Sequence, residues 1–313
     1  MIVVVSDVHL GSDVGRKCKG TGHACDDLAL DPLFQTFMGH IGKEYLHSKE
    51  DRLIFLGDIF DFWRKDAGDV LIENQEAVSK MKDISRRCVV NYVVGNHDYS
   101  IRDMWNGART KGLFSTMDKS LHLEINGEPF TFIHGHQIEV LANPFNKSEK
   151  AYNTISALLC NTAGATGSTA SMLWSCVDPD LHGDYMKSMK KPTSERLKGK
   201  HNAIDTVEKL AQSKSRSIYT GADGWLVYGH THRGYVDEMS RTANSGSWGR
   251  DDDDSRLDYM IIEDGRPKLY ATKSRSPRSI LRHPFLTNLS LIMPAGGQMH
   301  QNNSIHAILG SGT

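Results

Sequence analysis

The sequence predicts an α/β (α+β) fold, a two-sheet β-sandwich flanked by helices and carrying a helical cap insertion. Three observations predict it. Short apolar, β-branched runs recur and stop abruptly at Gly and polar residues, the pattern of buried strands that end in loops. Stretches with helical apolar spacing separate the earliest runs. Hairpin signals, Asn126-Gly127 and Asp264-Gly265, come only later. Strands alternating with helices, then paired by hairpins, give two packed sheets with helices outside them.

The first run, Ile2–Val5, is a strand. A helix is expected over about 28–47, with Phe34, Phe37, Met38, Ile41 and Leu46 on its apolar face. Leu53–Leu56 is the next strand. Residues 69–87 read as one helix with Val70, Ile72, Val78 and Met81 in the core, and 89–94 as a third strand. Residues 121–125 and 129–133 make a hairpin across Asn126-Gly127. A helix over about 202–213, with Ile204, Val207 and Leu210 as its stripe, leads to strand Trp225–Tyr228. Strands at 257–262 and 267–272 complete the sheet. The domain therefore spans 1–274. Residues 275–313 are a C-terminal extension expected to be loose, because periodicity fades after Lys273.

The chain between His134 and His230 is too long for one crossover, so about 141–200 is an insertion beside the loop that follows residue 133. Ser148 would cap a helix with Tyr152, Ile155, Leu158 and Leu159 on one face. Residues 164–176 are small and polar but include Met172, Leu173 and Trp174. A basic cluster follows: Lys187, Lys190, Lys191, Arg196, Lys198 and Lys200. As a cap, the insertion would turn an apolar face and basic residues toward a substrate or an anionic membrane surface, giving peripheral membrane contact. As an ordinary subdomain, it would bury the apolar residues and solvate the lysines.

Five polar motifs follow the apolar runs. They are Asp7-Val8-His9, Gly57-Asp58-Ile59-Phe60-Asp61, Gly95-Asn96-His97-Asp98, His134-Gly135-His136 and Gly229-His230-Thr231-His232. Each loop delivers side chains to one edge of a β core, which is how a metal site is built on a rigid scaffold. The donors are Asp7, His9, Asp58, Asn96, His134, His230 and His232, with no Cys among them. Carboxylate, amide and imidazole donors suit Mn, Fe or Zn and disfavour a thiolate-type structural site. Seven donors exceed what one tetrahedral ion uses and suit two ions sharing a carboxylate. A pair of ions about 3.5–4 Å apart clamps both oxygens of an in-line displacement at phosphorus, and lowers the pKa of bound water toward roughly 7. Such water is the nucleophile, and no side-chain nucleophile is needed. His136 reads either as a supporting residue behind the ligands or as solvent-facing. Asp61 reads as a buried hydrogen-bond partner near the metals or as a turn residue.

Bulk numbers narrow the function. With 39% hydrophobic and 24% charged residues over 313 positions, the composition is that of a soluble globular protein. A net charge of −1 creates no global field for nucleic acid. No apolar run reaches transmembrane length, and no basic n-region precedes the first strand, so a cytoplasmic place is expected. The five cysteines, Cys18, Cys25, Cys88, Cys160 and Cys176, are odd in number and scattered, a poor disulfide framework. Cys18, His23 and Cys25 fit no zinc spacing well and read as a loop with two free thiols. Asp251–Asp254 reads as a solvated loop.

The five motifs, in this order, resemble those of the calcineurin-like metallophosphoesterase superfamily, across the segments from Met1 to Trp248 apart from the insertion. The resemblance implies that Asp7, His9 and His232 hold a first metal, that Asn96, His134 and His230 hold a second, and that Asp58 bridges them. It implies that His97 sits beside the scissile phosphate and that Asp98 orients His97. Mn is the expected ion, with Fe and Zn as alternatives.

Gly57-Asp58-Ile59-Phe60-Asp61-Phe62-Trp63, the His134 motif followed by a helical insertion, and Gly229-His230-Thr231-His232 most resemble the UDP-2,3-diacylglucosamine pyrophosphatases and their relatives. That resemblance implies a nucleotide–lipid diphosphate substrate. The sequence departs from the pattern at His97, where those enzymes have Arg, and at His136, where they have Asp. Phe62-Trp63 after Asp61, and Asp98 after the Asn-His pair, separate the chain from serine/threonine protein phosphatases. The superfamily's DNA-repair nucleases bring a long C-terminal DNA-binding region that this sequence lacks. A nuclease, a cyclic-nucleotide phosphodiesterase and a non-catalytic binding scaffold stand as alternatives to a phosphohydrolase acting on a phosphate-containing small molecule.

Overall fold

Two sheets carry the fold in the computed structural model, which describes residues 1–11, 30–63, 65–106, 112–142, 149–161, 204–213, 215–221, 223–248, 256–273 and 293–294. In chain order the early elements are β1 (Ile2–Val5), α1 (Leu30–Glu44), β2 (Arg52–Leu56), α2 (Ala67–Glu73), α3 (Gln75–Ser85), β3 (Val89–Val93), α4 (Ile101–Asn106) and β4 (Thr116–Asp118). Then come β5 (Ser120–Ile125), β6 (Glu128–Ile133), α5 (His136–Ala142), α6 (Glu149–Asn161), α7 (204–212) and α8 (Ser215–Thr220). The chain continues with β7 (Trp225–Tyr228), β8 (Tyr235–Asp237), β9 (Thr242–Asn244), β10 (Arg256–Glu263), β11 (Arg266–Lys273) and β12 (Met293–Pro294).

The larger sheet has the order β12-β11-β10-β1-β2-β3-β4, and the smaller β5-β6-β7-β9-β8. Strands β1 to β4 are parallel, as are β6, β7 and β9. Parallel strands buried on both faces read as unbroken apolar runs, and that is why Ile2–Val5 and Leu53–Leu56 show no alternation. Alternate side chains of β1 serve two cores. Val4 packs with Ile54, Phe132 and Val227 between the sheets. Val3 and Val5 pack with Phe34, Phe37, Met81 and Ile84 of α1 and α3 on the other side. A third cluster covers the outer face of the smaller sheet, where Val207 and Ala211 of α7 meet Ile133 and Tyr228.

Both hairpins form where expected. Asn126 and Gly127 have φ of 53° and 77°, and Asp264 and Gly265 have 52° and 72°, so both central residues of each turn are left-handed. The helix expected over 69–87 is two helices. Asn74 ends the first one by donating its side-chain amide to the carbonyl of Val70, a local bond that competes with the helix ladder. Ile72 is 69% exposed, although Val70 is fully buried, because positions two apart on a helix face opposite ways. Strands β4, β8 and β9 were not expected, and at three residues each they are too short to show a period. Met293–Pro294 pairs with Tyr270 and Ala271 inside the extension expected to be loose.

Of the insertion, α6 and the end of α5 are described. Tyr152 is buried, and so are Asn153, Ser156 and Cys160. Ser148, the side chains of Ile155, Leu158 and Leu159, residues 164–176 and the basic cluster from Lys187 to Lys200 lie outside the described residues. So do Cys18, His23, Cys25 and Asp251–Asp254. No helix among the described residues is long and apolar enough to cross a membrane.

Candidate metal centre

The loops after β1, β2, β3, β6 and β7 meet at one place. The Asp7 amide donates to the carbonyl of Gly57, His9 N–H to that of Asp58, and Gly229 N–H to that of His134. Ligands outside the carboxyl ends of parallel strands are the rule for open α/β sheets. Two glycines permit the approach. A Cβ on Gly95 would collide with the Asp58 carboxylate. One on Gly57 would strike the His134 ring, and its φ of 85° already excludes most residues.

Five of the eight non-glycine residues with positive φ among those described are site residues: Asp7, His9, Asp58, His230 and His232. Each such conformation costs on the order of 1–3 kcal/mol and persists only where its surroundings over-determine it. The strain is thus concentrated in the loops that carry the predicted donors. The surroundings are visible. Asp7 accepts the His230 backbone N–H on Oδ2 at 2.9 Å, and Asp58 accepts that of His97 on Oδ1 at 2.8 Å. Each carboxylate is thus tied by one oxygen and presents the other.

Those second oxygens converge on lone pairs. Oδ1 of Asp7 is buried and lies 3.2 Å from Nε2 of His232. Nδ1 of His134 donates to the carbonyl of Leu56 at 2.9 Å, which makes Nε2 the lone-pair nitrogen. That Nε2 faces Oδ2 of Asp58 and Oδ1 of Asn96, both at 3.1 Å. Nε2 of His9 is buried without a partner. Asp7, His9 and His232 form one group of ligand atoms within 4.8 Å of each other, Asp58, His134 and His230 form a second, and His9, Asp61 and His97 form a third that shares His9 with the first. Acceptors aimed at one another in a dry pocket require positive charge between them. The residues therefore fit two cations.

The titration of the groups agrees. Burial opposes charge on His134, yet Asp58 and Asp7 outweigh it and lift its pKa to about 9, so a proton stands where the field favours a cation. Burial also opposes charge on Asp58, but His134 and His97 hold its carboxyl well below the usual range. Asp7 is lowered in the same way, with burial outweighed by His134 and His232. His9 is pushed down to about 4 by burial and by His97, which outweigh the nearby Asp58 and Asp61 carboxylates.

His97 lies at the mouth, 4.7 Å from the His9 ring centroid. Its Nδ1 is 3.1 Å from Oδ1 of Asp61, a fully buried carboxylate, and Trp63 stacks on its face with centroids 4.0 Å apart. Asp98 does not orient His97. Its oxygens accept the backbone N–H groups of Gly95 and Ile59, both at 2.8 Å, and the Tyr92 hydroxyl. A residue next in sequence to His97 was the wrong choice, because the turn after β3 sends adjacent side chains in opposite directions. Burial and the neighbouring Asp58 raise the Asp98 carboxyl to about 6. Asp98 locks the loops of β2 and β3 together.

His136 is buried rather than solvent-facing, and donates from Nε2 to Oδ1 of Asn153 at 3.2 Å. Two residues near the ligands escaped sequence reading. Glu139 meets Nε2 of His230 at 2.7 Å, and Trp63 stacks on His97. Glu139 lies five residues after His134, and only the helical start at His136 could have signalled its inward turn.

No protein-family model matches the chain. Among curated proteins it is similar to the UDP-2,3-diacylglucosamine hydrolase of Shewanella baltica, 23% identical over 199 residues, which cover 61% of this chain and 71% of that protein. The protein of that name from Photorhabdus laumondii is 23% identical over 190 residues, 60% of this chain and 71% of its own. Among solved structures, an archaeal phosphodiesterase aligns over 86% of this chain and 98% of its own, with a TM-score of 0.38 and 14% identity. A dimetal phosphatase from Danio rerio aligns over 86% and 95%, with a TM-score of 0.39 and 12% identity.

Proposed function

We propose that the chain is a calcineurin-like metallophosphoesterase, a dinuclear metal-dependent phosphohydrolase that cleaves a phosphoester or diphosphate bond. The observation that carries this reading is the convergence of seven donors from five strand-end loops into two facing groups of lone pairs. Asp7, His9 and His232 are assigned to a first divalent ion, and Asn96, His134 and His230 to a second, with Asp58 between them. When bound, the ion pair supplies Lewis acidity and a water acidic enough to act as nucleophile near neutral pH.

The remaining work falls to the chain's own residues. As an imidazolium, with its Nδ1–H given to Asp61, His97 addresses the phosphoester through Nε2–H, which it donates to the leaving oxygen or to a phosphoryl oxygen. Asp61 stabilises that charged ring and Trp63 fixes its plane. Asp98 keeps the Asn96 and Asp58 loops in register. The intact donor set favours catalysis over a binding scaffold, and nothing in a net charge of −1 favours nucleic acid.

For the substrate we propose a nucleotide-linked diphosphate of the UDP-2,3-diacylglucosamine type, on the strength of the curated relatives. Mn is the proposed ion and the cytoplasm the proposed place. Metal-stripped protein, with and without Mn, is incubated with bis-p-nitrophenyl phosphate, a phosphomonoester, UDP-sugars, a UDP-acyl-glucosamine and DNA. Metal-dependent cleavage of the acylated diphosphate well above the generic esters is the expected result. Cleavage of the generic esters alone overturns the substrate and keeps the hydrolase. Cleavage of DNA favours the nuclease, and no cleavage at all favours the scaffold.

A further inference from the structure

His230 reaches the centre from the loop after β7, and its Nε2–H donates to Oε2 of Glu139 at 2.7 Å. With Nε2 occupied, Nδ1 is the nitrogen left to join Asp58 and His134. Glu139 is itself held. It lies on the first turn of α5, and Tyr152 of the inserted helix α6 donates its hydroxyl to the same Oε2 at 3.3 Å. Tyr152 is buried, with its ring stacked on His136 at 5.3 Å between centroids and 10° between planes. Asn153, next to it, accepts from His136 at 3.2 Å. Near the far end of α6, Sγ of Cys160 approaches the carbonyl of His97 at 3.3 Å. The inserted helix thus touches the centre's supporting residues at three points.

We propose that Glu139 is the positioning residue of the second metal position, setting the tautomer and ring orientation of His230, and that Tyr152 makes the inserted helix part of that support. The proposal rests on the two-ion reading above. An incidental surface pair would not share one carboxylate oxygen with a buried tyrosine. A carboxylate on the far nitrogen of a metal-binding histidine raises its basicity, and losing such a partner costs about 10–100-fold in metal affinity. The insertion then does more than cover a substrate, because moving α6 would release Glu139 and with it His230.

The test titrates metal-stripped full-length protein with Mn by calorimetry and follows magnetic coupling of the ion pair by electron paramagnetic resonance. Circular dichroism of the metal-free forms checks the fold. Wild type is expected to bind two ions. Glu139→Ala is expected to bind one ion with unchanged affinity and the other about 10–100-fold more weakly, losing the coupled signal at low metal. Glu139→Gln keeps an acceptor and loses less. Tyr152→Phe removes one hydrogen bond and weakens the same ion about threefold to tenfold. Two ions bound as in wild type by Glu139→Ala would overturn the proposal. If Glu139→Ala fails to fold, wild-type binding by both Glu139→Gln and Tyr152→Phe overturns it equally. Fewer than two ions in wild type is a separate result, which fails the two-ion reading itself.

Discussion

The two halves of the centre are held by different means. The carboxylate and amide half comes from the loops after β1, β2 and β3, and it is held largely by backbone. The N–H groups of His97 and His230 tie down one oxygen each of Asp58 and Asp7, and Asp98 clamps Gly95 and Ile59. The imidazole half comes from the loops after β6 and β7. His134 leans on the carbonyl of Leu56, and His230 leans on Glu139, which α6 holds in turn. Each carboxylate is fixed by a backbone N–H from another loop, whereas a ring with two nitrogens needs an acceptor for the one that does not face the site. The first half therefore rests on backbone N–H groups, and the second on acceptors, one of which, Glu139, is a side chain held by α6.

Breaking the first half has the largest expected effect. Asp58→Ala removes the carboxylate shared by both ions. Outer partners alone cost 10–100-fold and one lost electrostatic contact about 10²–10³, so its phosphodiesterase rate should fall about 10⁴-fold. Metal analysis should show the affinity of both ions reduced. A variant that keeps one ion at wild-type affinity would show that Asp58 serves one side only.

His97 belongs to neither half, and its removal separates chemistry from metal binding. His97→Ala should lower turnover by about 10²- to 10³-fold, within the range of a general acid, with both ions retained. Esters with a p-nitrophenol leaving group should suffer less than alkyl esters, because a good leaving group needs no proton. Asp61→Asn should lose about tenfold by the same assay, one charged hydrogen bond. Asp98→Asn should instead lower stability, measured by urea unfolding, since it bonds the loops and not His97.

Acid sharpens the contrast on the imidazole side. Burial and the nearby His134 hold His136 well below its ordinary pKa of 6.5 in the folded protein. A depressed histidine contributes stability that is full above the unfolded value of about 6.5 and declines as pH falls below it, by up to about 1.4 kcal/mol per pH unit. His9, lowered to about 4, acts in the same direction in metal-free protein, while His134, raised to about 9, stabilises below 6.5 and loses that contribution as pH rises through 9. Urea unfolding at pH 5 and 7 should show a shallower pH dependence in His136→Gln than in wild type.

The smallest effects lie in the scaffold. Val70→Ala should cost about 2 kcal/mol by leaving a cavity, and Ile72→Ala, one turn-face away on α2, less than about 0.5.

The same contrast governs what could be read from the sequence. Asp7, His9, Asp58, Asn96, His134, His230 and His232 were legible because each stands where an apolar run breaks, and the break itself brings the residue to the edge. The strands and both hairpins were legible from periodicity and turn residues. Glu139 was not, since its role comes from α5 turning it toward a histidine 91 positions away. Asp98 was misread and Asp61 understated for one reason. Proximity in sequence to His97 says nothing of which carboxylate the turn after β3 sends to its ring. Ile72 was misplaced by ignoring its half-turn from Val70, and Asn74 broke the helix through a side-chain bond that apolar spacing does not report.

The central claim is that the two halves together hold two ions that hydrolyse a phosphoester. The most direct measurement titrates metal-stripped protein with Mn, recording bound ions per chain and hydrolysis of bis-p-nitrophenyl phosphate in the same samples. Two ions per chain, with turnover rising as the second binds and absent in Asp58→Ala, is the predicted result. Turnover independent of metal, or saturation at one ion without turnover, would contradict it.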